Sequence, residues 1–271
     1  MRKLTRRSAI VTIAASTAAL ANAQPIHVVE ESTGIARPTV VLVHGAFAES
    51  DSWNGVIRSL QAQHYPVIAA ANPLRSPSFD AAHVGGIVDS VKGPVVLVGH
   101  SYGGSVISAA AQGKSNVKAL VFVAAFAPEA GETAAGLSGK YPGSTLAPTL
   151  APPVALPDGG KDLYIQQDKF PAQFAADVPA SDARLMAVTQ RPITEAALNE
   201  PATAPAWKDV PSWFVYGDRD KNIPPAAQDF MAKRARAVKT VVVKGASHVV
   251  MVSHPDAVAK LIMEAARARS I

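Results

Sequence analysis

Four consecutive apolar residues, Val95-Val96-Leu97-Val98, run directly into Gly99-His100-Ser101-Tyr102-Gly103-Gly104. An uninterrupted run of this kind reads as a strand buried on both faces. The apolar pattern from Ser105 to Ala111 then reads as a helix. A strand that turns into a helix within so few residues needs backbones in close approach, which Gly99 and Gly103 permit because they lack a Cβ. The residue at the apex, Ser101, is expected in a strained conformation with its hydroxyl held out of the sheet.

The rest of the chain reads as alternating strands and helices. Strands are expected at Thr39–His44, Pro66–Ala70, Val117–Ala125, Ser212–Tyr216 and Thr240–Val243, with an edge strand around Ile26–Val29. Helices are expected at a segment capped by Asp51 with Trp53, Val56, Ile57 and Leu60 on its apolar face, then at Phe79–Val91, Ala226–Ala235 and Pro255–Ala268. This alternation predicts an α/β fold with a mostly parallel, doubly wound sheet covered by helices on both faces. Between 128 and 206 the rhythm breaks into Pro/Gly-rich stretches and short helical patterns, Ser181–Thr189 and Thr194–Glu200, with no strong strand. That segment is expected to form a helical cap inserted before the last two strands, so that 24–127 and 207–271 make up the core.

The first 23 residues read separately, as an export signal. Arg2, Lys3, Arg6 and Arg7 precede a short apolar run, Ala9–Leu20, and Ala21-Asn22-Ala23 offers a small-x-small cleavage site. The run is too short to anchor in a membrane, and the Arg6-Arg7 pair is compatible with the twin-arginine route. The expected location is the periplasm or the medium. Without the leader the balance is 22 Lys+Arg against 21 Asp+Glu, which gives no reason to expect nucleic acid as a partner. With no Cys in the chain, thiol catalysis, disulfides and thiolate metal sites are excluded. No His/Asp/Glu cluster has metal-ligand spacing, so neither metal nor other cofactor is expected.

A serine hydroxyl becomes a nucleophile only when a base takes its proton and an acid orients the base. The last two predicted strands empty into Gly217-Asp218-Arg219-Asp220 and Gly245-Ala246-Ser247-His248. Of the seven His, only His248 follows a late strand in the chain order Ser…Asp…His. His27, His64, His83 and His254 read as surface or capping residues, His44 as a structural hydrogen-bonder, and His100 as pointing away from Ser101. Asp218, Asp220 and, distantly, Glu129 are open as the acid.

These pieces together resemble the α/β-hydrolases, most closely the small capped members that include plant methylesterases, hydroxynitrile lyases and bacterial esterases. The matching residues are Val43-His44-Gly45-Ala46-Phe47, Gly99-His100-Ser101-Tyr102-Gly103-Gly104, Gly217-Asp218-Arg219-Asp220 and Gly245-Ala246-Ser247-His248. The resemblance implies the α/β-hydrolase fold and a Ser101–His248–Asp220 triad, with Asp218 left as a turn residue. It further implies an oxyanion hole from the amides of Tyr102 and Ala46, with Phe47 as the alternative to Ala46. Phe47, Phe126 and Val249 are expected to line an apolar substrate pocket. The cap aromatics Tyr164, Phe170 and Phe174, with Leu185 and Met186, would shape it or form the cap's own core.

The implied activity is hydrolysis of small to medium carboxylic esters through an acyl-enzyme. The same triad also serves lactonases, amidases, C–C hydrolases and cofactor-free perhydrolases, and a non-catalytic ligand-binding protein could use the same scaffold. The lyases resembling this chain carry lysine immediately after the catalytic His, where Val249 stands here. Epoxide hydrolases and dehalogenases would need Asp in place of Ser101.

Overall fold

The computed structural model describes residues 37–203 and 205–268. The leader and the strand expected around Ile26–Val29 lie outside these residues.

Six parallel strands form the central sheet: β1 (Thr39–Val43), β2 (Val67–Ala70), β3 (Val95–His100), β4 (Val117–Val123), and, after three short strands described below, β8 (Ser212–Gly217) and β9 (Lys239–Val243). Their spatial order is β2-β1-β3-β4-β8-β9. Register follows the apolar runs, with Val40 opposite Val67 on one side and Val96 on the other. Every residue of β3 is buried, as its uninterrupted Val-Val-Leu-Val run requires.

Chain direction across the sheet reverses between β1 and β3. The crossover from β1 to β2 runs through α1 (Asn54–Ala62), and that from β3 to β4 runs the opposite way through α3 (Gly103–Ala110). Right-handed crossovers running in opposite directions place their helices on opposite faces. Accordingly α2 (Pro77–Ser90) packs on α3, while α1 packs on the last helix, α10 (Pro255–Arg267). The buried stripe of α10, Val258, Leu261, Ile262 and Ala265, has the expected helical spacing. A sheet wound in this way opens a crevice at the carboxyl ends of the strands where the direction reverses. Those ends carry the His44–Phe47 loop and Ser101.

Most boundaries agree with the sequence reading to within two residues. Asp51 is an exception: residues Ser50–Trp53 form a 3-10 turn, and α1 starts at Asn54 with no side-chain cap. Ser76 caps α2 instead, accepting from the Phe79 amide at 3.1 Å.

The segment between β4 and β8 contains α4 (Ala134–Gly139), α5 (Phe170–Phe174), α6 (Ala180–Thr189) and α7 (Glu195–Asn199). It also holds a small antiparallel sheet that the sequence reading lacked: β5 (Val154–Ala155), β6 (Lys161–Leu163) and β7 (Ile193–Thr194). Strands of two or three residues are too short to show a period. Arg75, in the loop after β2, fastens this sheet to the core, its guanidinium reaching Asp162 at 2.8 Å and the Pro192 carbonyl at 3.1 Å. Two further helices complete the fold: α8 (Pro225–Arg234) and the single turn α9 (Val250–Ser253).

Candidate active site

The turn after β3 has the strain its sequence requires. Ser101 adopts φ +53°, a region in which a non-glycine residue persists only when its surroundings over-determine it. A Cβ on Gly99 would lie 2.5 Å from the Gly103 carbonyl oxygen, and one on Gly103 2.5 Å from that of Val43. The end of β4 clamps the turn from the side: the Ser101 amide donates to Val123 O (3.2 Å), and the Phe126 amide donates to Ser101 O (3.1 Å).

The loops after β8 and β9 converge on the same rim. His248 Nδ1–H donates to Asp220 Oδ2 at 2.7 Å, with both side chains buried. Asp220 is fully engaged. Its Oδ1 accepts from the amides of Asn222 (2.8 Å) and Ile223 (3.0 Å), and its Oδ2 also accepts from Gln228 Nε2 (2.9 Å). Because a carboxylate can only accept, Nδ1 of His248 carries a proton, and in the neutral ring this tautomer puts the lone pair on Nε2. Asp218 is exposed and accepts the Gly245 amide at 2.6 Å, a turn residue. Glu129 is paired with Lys208 at 2.6 Å.

Ser101 and His248 line one cavity of about 360 Å³. Among the described residues no hydrogen bond joins the Ser101 hydroxyl to the imidazole; in unliganded sites such bonds are often long and tighten only when substrate arrives. Among the described residues the wall carries no Asp, Glu, Lys or Arg side chain. Ala46, Phe47, Tyr102 and Phe126 line it as expected. Val249 does not: it is fully buried in the core where the chain turns into α9.

The two candidate amides of the first loop differ in one decisive respect. The Phe47 N–H donates to Arg191 O at 2.9 Å, which removes Phe47 as the alternative oxyanion donor. Among the described residues no carbonyl takes the amides of Ala46 or Tyr102.

Of the insertion residues singled out by sequence, only Phe174 reaches the cavity; its ring centroid lies 5.1 Å from that of His248 and 6.1 Å from that of Phe47. Phe170 packs behind it at 4.8 Å, and Leu185 is exposed. Leu146, Leu150, Leu198 and Ile223 complete much of the apolar wall. They come from three separate segments, Leu146 and Leu150 flanking one 3-10 turn at Ala147–Thr149, so no single periodicity could have grouped all four. The insertion also braces the loop that carries Asp220, with Gln173 Nε2 donating to Lys221 O (3.0 Å) and Asn222 Oδ1 (2.8 Å).

Matching these elements against known proteins gives a consistent result. The model of the alpha/beta hydrolase family matches residues 40–261. The chain belongs to the alpha/beta hydrolase family. This hydrolase is 26% identical over 250 residues to alpha/beta hydrolase nvfD of Aspergillus novofumigatus, covering 85% of this chain and 97% of that one. It is 27% identical over 239 residues to a pimeloyl-[acyl-carrier protein] methyl ester esterase of Neisseria meningitidis serogroup B, covering 82% and 90%. Polyneuridine aldehyde esterase shares the fold with TM-score 0.73 at 19% identity, over 84% of this chain and 98% of that one.

Two further histidines of this hydrolase are buried and held neutral. His44 Nδ1–H donates to Gly45 O (3.0 Å), and its Nε2 accepts the Asn72 amide (3.0 Å). His100 Nε2–H donates to His248 O (3.2 Å), a contact that sequence reading missed because it requires β3 and the β9 loop to be adjacent. Its ring lies 4.8 Å from that of His248. Burial lowers the pKa of His44 below the ordinary 6.5, against a weaker opposing pull from the Gly45 carbonyl. Burial, followed by the neighbouring His248, lowers that of His100 well below 6.5.

Below pH 6.5 the unfolded chain therefore binds protons that the folded chain refuses. The stability these two groups contribute is present above 6.5 and is lost as pH falls toward their folded values. Each adds a slope of up to about 1.4 kcal/mol per pH unit. Urea midpoints measured from pH 7 to pH 5 should fall, and fall less steeply in H100Q, whose side-chain amide can still donate to His248 O. An identical slope in H100Q would contradict this account.

Proposed function

We propose that this chain is a serine esterase that cleaves uncharged carboxylic esters through an acyl-enzyme. One observation carries the reading: Ser101 and the His248 imidazole, its Nδ1 proton held by Asp220, share a single cavity. His248 Nε2 takes the Ser101 proton as Oγ attacks the ester carbonyl. The oxyanion receives hydrogen bonds from the free amides of Ala46 and Tyr102, each worth about 3–4 kcal/mol in comparable sites. His248 returns the proton to the leaving alkoxide. Water, activated by the same imidazole, then releases the acid.

The uncharged wall favours apolar acyl or alcohol groups, because a charged substrate would lose its hydration with no counter-ion to replace it. The named relatives described as esterases support ester over amide chemistry. The residues between β4 and β8 act as a cap that roofs the cavity and limits substrate bulk.

A fluorophosphonate probe should label the protein stoichiometrically at Ser101, and p-nitrophenyl butyrate should turn over. A panel of esters, lactones and amides would then rank substrates. Absence of both labelling and turnover in folded protein would end the proposal.

A further inference from the structure

Tyr102 follows the nucleophile and is fully buried, yet it carries a phenol in an otherwise apolar packing position. Its hydroxyl donates to Asp80 Oδ2 at 2.8 Å. Asp80 is itself fully buried, in the first turn of α2, and its Oδ1 accepts the Arg75 amide at 3.1 Å. Burial raises the Asp80 carboxyl above its ordinary value, and the hydrogen bonds from Arg75 and Tyr102 pull the other way. The phenol is pushed far up, by burial first and then by Asp80, so it remains a donor.

A buried carboxylate–phenol pair is a costly way to fill space. Apolar residues of matching volume are often as stabilising or more so. What the pair supplies is direction, since a short hydrogen bond fixes the ring along one line and at one depth. That line runs from α2 to the residue whose amide faces the reacting carbonyl under the function proposed above. The elbow needs such a tether because Ser101 is strained at φ +53°, and a strained turn relaxes unless its neighbours hold it.

We propose that Asp80 is a positioning residue for the oxyanion-binding amide of Tyr102, acting through the Tyr102 hydroxyl. This rests on the reading of Ser101 as nucleophile. Arg75 extends the tether to the insertion, since the residue whose amide orients Asp80 also grips Asp162.

The experiment compares wild type, Y102F, D80N and the double variant in four measurements: fluorophosphonate labelling, kcat and KM on p-nitrophenyl butyrate, thermal midpoint, and affinity for two inhibitors. One inhibitor is butylboronic acid, which forms a tetrahedral adduct; the other is an unreactive ether isostere of the substrate. A displaced amide costs transition-state binding, so kcat in Y102F should fall about 10- to 100-fold with KM little changed. Boronic acid affinity should fall in step, ether affinity should stay within twofold, and the double variant should be no worse than Y102F. Unchanged kcat and boronic acid affinity in Y102F would overturn the proposal. So would equal losses for both inhibitors alongside a collapsed thermal midpoint, which marks a packing role only. Should Y102F not fold, D80N decides by the same measurements. If wild type itself is not labelled, the esterase reading fails and this inference with it, an outcome distinct from labelled wild type with an indifferent Y102F.

Discussion

Ser101→Ala is expected to reduce kcat on p-nitrophenyl butyrate by about 10⁴- to 10⁶-fold while leaving the fold intact. The size follows from the mechanism: without Oγ no acyl-enzyme forms, and what remains is water attack helped by the two amides. The fold should survive because the backbone clamps on this turn, to Val123 and from Phe126, do not involve the hydroxyl. Alanine also keeps the Cβ that the strained φ already accommodates. Active-site titration by burst kinetics makes the measurement, with circular dichroism as the control. Turnover within tenfold of wild type would place the chemistry elsewhere.

Asp220→Asn is expected to cost nearly as much in rate, about 10⁴-fold, with a smaller change in stability. The reason lies in which atoms Asp220 binds. Its Oδ1 faces two backbone amides, so an asparagine would turn its carbonyl oxygen that way. The NH2 group would then face His248 Nδ1 and Gln228 Nε2, both donors in the native site. The imidazole would have to move its proton to Nε2, where it could no longer take one from Ser101. A kcat loss that persists across pH, with KM nearly unchanged, separates this tautomer effect from general loosening. A rate within tenfold of wild type would remove Asp220 from the acid role.

Much of this was legible before any coordinates. The alternation of strands and helices could be anticipated because apolar runs such as Val95-Val96-Leu97-Val98 lead into helical stripes. The turn at Ser101 declared itself through two glycines whose Cβ positions are occupied by backbone. Asp220 could be separated from Asp218 only by resemblance; in the fold, their difference is plain from burial and four hydrogen bonds against exposure. Phe47 could be set aside as an oxyanion donor only once Arg191, from the far side of the insertion, was seen to take its amide. Val249 was misjudged because nearness to a strand end does not carry a side chain to the cavity where the backbone turns into α9. The cavity wall was largely hidden, because it is assembled from short clusters, such as those within 134–139, 144–150 and 222–223, that lie far apart along the chain.

A Cβ on Gly217 would run into the Ala246 carbonyl, and the Arg219 amide donates to that same oxygen at 3.1 Å. Carboxylate and imidazole thus travel as one prefabricated block, and the elbow is a second. Among the described residues, the side-chain hydrogen bond that joins the two is the one from His100 to the backbone of His248. The reactive geometry then comes down to one adjustable gap rather than three independent arms, and whatever widens that gap idles the whole apparatus at once.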